Sequence, residues 1–349
     1  MTQINIILED AAKDNIKYWW DENYNKKKKD KLLSYFNGFN DFDTFIGDYL
    51  TRTINSVERA VEQSEFNRHG RLEFVIGQYD NYTTLAKYFT NKSNDEAGKF
   101  WINFHQLMSD FYDKKFWSRK DGCFKTVAHE LRHHFDRNFL LYSGDYLRGR
   151  TLWNASGKIF ESLNSEVFLL KSLFGFRTEG FAEFDGNLFD EKTPSAFLRT
   201  RESRADIFVS ELQEHTNTVR KVFEFLERNS PCPSMKYLSS IESAKYSAKY
   251  SPLGISKEFS PYVQGKPLMN VIALAKVDEM IGKRRSFKSL FKDTKVPEEV
   301  YKSVLRKVAG IKSLSEFYNL FYDSASRIGL EKNEIIIPRE YTQRYLQHI

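Results

Sequence analysis

The chain has 349 residues, enough for one large domain or two ordinary ones with a sizeable core. It is 41% hydrophobic and 29% charged, the composition of a water-exposed globular fold, and a net charge of +6 over this length argues against a dedicated nucleic-acid binder. Its two cysteines, Cys123 and Cys232, are far apart, which excludes a disulfide framework and a cysteine-based zinc site, and 8 Pro with 17 Gly favour long helices over turn-rich sheet.

In chain order, the N-terminus MTQINIILEDAAKDN carries acids straight after a short apolar stretch and is not expected to be a signal peptide. The run KKKKDK at 26–31 reads as a solvated helix end or loop. Residues 43–63 alternate at helical spacing, with Phe45, Tyr49, Ile54, Val57 and Val61 near one face. RLEFVIGQY, 71–79, is β-branched and aromatic between turn residues and predicts a strand. TTLAKYF, 83–89, predicts a short helix, and GKFWINFHQLM, 98–108, fits strand or helix equally.

Helical patterns follow at 124–140, 159–174 and 205–228, and SPCPS at 230–234 breaks the chain. Residues 235–260 read as a long surface segment; helices resume at 266–280, 297–309 and 313–328, and IIIPREY at 335–341 reads as a late strand or extended tail. The longest apolar stretch, VFLLKSLFGF, is interrupted by Lys171 and falls far short of the ~20 residues a bilayer span requires. The expectation is a cytoplasmic protein with no membrane span and no specific nucleic-acid partner.

The most specific stretch is TVAHELRHHFDRNF, 126–139. Phe124, Val127, Ala128, Leu131, Phe135 and Phe139 recur at spacings of three and four, forming one buried stripe of a helix. His129 and His133 lie one turn apart and face the same way, so both imidazoles can bind one zinc ion. Glu130 is offset around the helix and can reach a water on the metal rather than the metal itself, which is why His-Glu-x-x-His serves hydrolysis. His134 does not join the pair, because five residues turn it about 140° away from His129. Asp136 suits either an outer partner of a ligating imidazole or an exposed helix acid.

A catalytic zinc site commonly has three protein ligands. No third histidine follows at the HExxHxxGxxH spacing, so a carboxylate is expected. Two segments offer one: RTEGFAEFDG, where Glu179 and Glu183 are four apart and Gly180 permits close approach of a neighbouring helix, and RESRADIF, with Glu202 and Asp206 four apart.

HELRH followed by TEGFAEF resembles the glutamate-zincin metallopeptidases, the group that includes thermolysin and the large zinc aminopeptidases. The likeness covers the two motif segments and not the rest of the chain, and the interval from His133 to Glu179 is longer than in the aminopeptidases. The resemblance implies that Glu179 is the third ligand. ESRAD resembles instead the zincin branch with E-x-x-A-D, in which Glu202 would ligate and Asp206 would support it; Glu183 is the remaining candidate. Tyr262 and Gly265, in SPYVQGKPLMNVIAL, are similar to the Tyr-x-x-Gly that enters a later helix in several zincins, and imply a Tyr262 hydroxyl stabilising an oxyanion. The resemblance also gives 71–79 the role of an edge strand that pairs with extended substrate.

The fold expected is α+β and mostly helical: an N-terminal helical segment at 1–65, a zincin-like core with a small mixed sheet at 66–230, and a helical subdomain at 235–349. The function expected is zinc-dependent hydrolysis of a peptide or protein substrate; the alternative is a zincin-derived metal-binding interaction module without efficient turnover.

Overall fold

Six residues near the start of the chain, Gln3–Leu8, form β1, and Asp10–Tyr24 form α1 directly after it. There follow α2 (Phe42–Gln63), β2 (Arg71–Gly77), β3 (Ala86–Phe89), β4 (Gly98–Asn103), α3 (Phe124–Phe135), α4 (Ser165–Leu188), α5 (Pro261–Ile281), α6 (Glu298–Ala309), α7 (Leu314–Arg327) and α8 (Arg339–Leu346). This is a computed structural model; it describes residues 3–24, 39–63, 71–77, 86–89, 98–103, 124–136, 139–140, 165–188, 209–210, 212–217, 219–220, 224, 261–281, 298–330 and 336–346. Among these residues the fold is mostly helical with one small mixed sheet, and no helix is long and apolar enough to cross a membrane.

The chain divides into two compact units, Met1–Arg137 and Asn138–Ile349. In the first, the sheet order is β1-β2-β4-β3. β1, β2 and β4 are parallel, and β3 runs antiparallel to β4 at the edge of the described sheet. Residues in register share a face. Phe74, Phe100 and Tyr88 therefore form a row across three strands, with Phe74 and Phe100 stacked at 4.5 Å. The opposite face carries the in-register ion pair Glu73–Lys99 at 3.3 Å. In α1, Ala12, Ile16 and Trp20 recur every fourth residue and are buried, and Trp20 lies 4.7 Å from the Phe45 ring of α2. α2 also packs on α3, whose Val127, Ala128 and Leu131 are buried as the apolar spacing requires.

Several local expectations change. TTLAKYF is not helical where described: Ala86–Phe89 is a strand, because Tyr88 and Phe89 are strand formers and the whole segment is held by β4. The strand at 71–77 is internal, flanked by β1 and β4, so it has no free edge to offer a substrate. The N-terminal segment is not purely helical, since β1 pairs along its length with β2. Residues 98–103 resolve as strand. Within the tail at 335–341, the described residues 336–341 hold no strand, and α8 begins at Arg339. The lysine run, the Ser230–Ser234 break and both cysteines lie outside the described residues.

In the second unit, α4 and α5 are the central pair, crossed by α6 and α7. The two helices meet at glycines: a Cβ on Gly180 would stand 2.5 Å from the Gly265 carbonyl carbon and oxygen, so neither position accepts a side chain without separating the backbones. α7 is closed at both ends. Ser313 accepts a hydrogen bond from the Glu316 amide at 3.1 Å, and after Ile328 the positive φ of Gly329 (74°) lets the Leu330 amide donate to Ala325 at 2.9 Å and the Gly329 amide to Ser326 at 3.0 Å. The buried Tyr318 hydroxyl donates to the Leu173 carbonyl at 3.0 Å, tying α7 to α4.

Candidate metal centre

The histidines of the HELRH motif lie on one face of α3, as a four-residue interval on a helix dictates. Their Nε2 atoms are 3.2 Å apart, with the rings nearly perpendicular at 84° and their centroids 4.8 Å apart. His129 is buried and His133 half-buried. For two nitrogens at 2.0–2.1 Å from a tetrahedral zinc, the mutual separation is about 3.3–3.4 Å. The observed spacing fits that demand closely, and it also suits a hydrogen bond between the two rings.

His129 and His133 each offer an imidazole nitrogen, and Glu179 a carboxylate oxygen. Such a group could hold a metal ion. Two imidazoles and a carboxylate are a donor set of the kind that catalytic zinc sites use.

Glu179 sits on a stretch of α4 that is fixed on both sides. Two residues before it, the buried Arg177 donates from Nη2 to the Val308 carbonyl at 3.2 Å and stacks its guanidinium 3.8 Å over the Phe139 ring. One residue after it, Gly180 is pressed against Gly265. Glu183, one turn further along α4, is half-buried like Glu179. The sequence placed 159–174 and the TEGFAEF segment in separate pieces; the structure runs them together as α4 from Ser165.

Glu130 is half-buried on α3, between the two histidines in sequence. Asp136, at the end of that helix, is buried. Tyr262 lies in the first turn of α5, but its side chain lies outside the described residues, as do Glu202 and Asp206. The Tyr-x-x-Gly entry is thus already inside the helix, and its Gly265 serves the crossing with α4.

His134 is turned away from the pair as expected. It is buried against the sheet, its Nδ1 3.1 Å from the Tyr88 hydroxyl and its ring edge-on to Tyr88 and Phe100. Sequence reasoning missed this role for Tyr88. The signal lies in the strand-forming Tyr88 and Phe89.

It also missed His215, a wholly buried imidazole at 212–217 of the second unit. Burial pulls its pKa down to about 4, against the contact between its Nδ1 and Gln264 Oε1, which favours the protonated form. It is therefore neutral at physiological pH.

No protein-family model matches the chain, and neither does any curated protein or solved structure.

Proposed function

We propose that the chain is a zinc-dependent metallopeptidase of glutamate-zincin type. The observation that carries this reading is the pairing of the His129 and His133 imidazoles on one face of α3, their Nε2 atoms 3.2 Å apart, with Glu179 the carboxylate that the resemblance assigns to the same ion. His129, His133 and Glu179 hold the ion. When bound, zinc supplies Lewis acidity and brings the pKa of a water down to about 7.

Glu130 does the proton work. Adjacent to His129 but turned about 100° from it, its carboxylate is spared from ligation and takes the proton from the attacking water. It then hands that proton to the departing amine. The resemblance gives the Tyr262 hydroxyl the role of donor to the oxyanion. Strand β3, at the edge of the described sheet, antiparallel to β4 and next to α3, is the strand on which an extended peptide would add main-chain hydrogen bonds. The substrate is accordingly an unfolded or extended polypeptide segment.

The test is Glu130→Gln. With purified protein and an unstructured protein substrate such as casein, the variant keeps wild-type zinc content and loses about 10²-fold or more of the hydrolysis, the scale of a general-base contribution. Equal hydrolysis by wild type and variant removes Glu130 from the mechanism. Zinc retained with no cleavage by either protein points instead to a metal-binding interaction module.

A further inference from the structure

The two metal-binding histidines ride on one helix, and what fixes that helix about its own axis decides where they point. The buried stripe Val127, Ala128 and Leu131 holds α3 down, but apolar contact is non-directional. With side-chain tips about 5–6 Å from the axis, a rotation of about 20° displaces them by about 2 Å. Zinc tolerates distance errors of only about 0.2 Å. Some directional contact must remove that freedom.

The first unit contains one. His134 lies about 100° around the helix from His133 and about 140° from His129. Its ring enters a slot on the sheet face. Tyr88 and Phe100 form the walls, with ring centroids 5.3 Å and 5.8 Å away and both at 73° to the imidazole. Gly98, the first residue of β4, forms the floor: a Cβ there would stand 2.9 Å from Nδ1 and 3.0 Å from Cε1 of His134. The Tyr88 hydroxyl completes the slot with a hydrogen bond to Nδ1 at 3.1 Å. The Tyr88–Phe100 pair is in register between β3 and β4, so the slot belongs to the sheet and not to a loop.

We propose that His134 is a positioning residue for the metal centre: held by the Tyr88 hydroxyl over the notch at Gly98, it fixes the rotation of α3 and so the direction of the His129 and His133 Nε2 atoms. The inference rests on the metal-centre reading above. It assigns to the second histidine of the HH pair a task that neither ligation nor apolar burial performs. It also explains why β4 begins with a residue that has no side chain.

The experiment is a Co²⁺ titration of the full chain, followed by the visible d–d absorption of the bound ion, in wild type, Tyr88→Phe, Gly98→Ala and Val57→Ala. Val57 is buried on α2, which packs on α3, and is not one of the residues that form the slot, so its truncation serves as a control for general destabilisation. Tyr88→Phe removes only the hydroxyl; it is expected to weaken Co²⁺ binding by roughly tenfold, the scale seen when outer partners of ligating imidazoles are lost, and to shift the absorption band. Gly98→Ala, which displaces the ring, gives the same shift. Val57→Ala lowers the melting temperature with band and affinity unaltered. Wild-type affinity and spectrum in both slot variants overturn the positioning role while leaving the metal centre standing. A band shift in Val57→Ala equal to that of the slot variants also overturns it, because the effect is then one of general loosening. A wild-type chain that takes up no Co²⁺ overturns the metal reading and this inference together.

Discussion

Replacing Gly265 by alanine places a methyl group where α4 and α5 leave no room. The new Cβ would meet the Phe176 carbonyl oxygen and lie 2.5 Å from Gly180 Cα and 2.6 Å from its nitrogen, whereas ordinary contacts fall at 3.4–4 Å. All three obstacles are backbone, so no rotamer change relieves them, and the helices must part by about 1 Å. That separation loosens Phe176, Phe181, Leu268 and Met269, all buried in the core of this unit. Overpacking of this kind costs typically 1–3 kcal/mol, and rigid obstacles put it near about 3 kcal/mol. Alanine gains about 1 kcal/mol over glycine in a helix that has space for it. The net loss is about 2 kcal/mol, which lowers the melting temperature by roughly 4–8 °C for a unit of this size. Thermal unfolding followed by circular dichroism reads it directly. Gly180→Ala should give a similar loss, and the double variant less than the sum, since the two methyls relieve one contact by the same separation. A Gly265→Ala chain as stable as wild type, or more stable, refutes the close crossing that holds Glu179 in place.

Acid should act through His215. Its pKa lies at about 4 in the folded chain against 6.5 for the free side chain, so the unfolded chain takes up a proton that the folded one refuses. Stability is therefore full above pH 6.5 and falls as the pH drops toward 4, by about 3 kcal/mol from this group alone. Urea unfolding at several pH values should show a shallower loss for His215→Gln over that window; identical slopes would remove His215 as the cause. For the third ligand, Glu179→Ala is expected to lower zinc affinity by 10²-fold or more, on the order of a lost first ligand, while Glu202→Ala leaves it within about threefold. Chelator competition measures both, and the reverse ranking would transfer the ligand to the ESRAD segment.

How far the sequence could be read depended on how local the determining physics was. Helical period alone placed His129, Glu130 and His133 on a common helix and predicted the burial of Val127, Ala128, Leu131 and Phe139, whereas Phe135 is half-buried and the burial of Phe124 lies outside the described residues. The residues 297–309 and 313–328 were legible for the same reason: Ser313 and Gly329 mark the ends of α7 with side-chain and backbone chemistry that acts within a few residues. Gly180 was read as permitting close approach, and it does, although nothing in the sequence said that its partner would be Gly265. The sheet was harder. β3 has four residues and β1 six, too short for a period to dominate, and each is a strand because it pairs with another strand, β1 with β2 far along the chain and β3 with the following β4. The same distance hid the slot for His134, which is assembled from β3, β4 and α3.

The most direct test of the account is the metal content of the intact protein. After zinc supplementation and exhaustive dialysis, elemental mass spectrometry should find about one zinc per wild-type chain and close to none in His133→Ala, as expected when one of three ligands is removed from a site of this kind. A wild-type chain that emerges free of zinc, or a His133→Ala chain that retains it, would contradict the claim that His129, His133 and Glu179 form a metal centre.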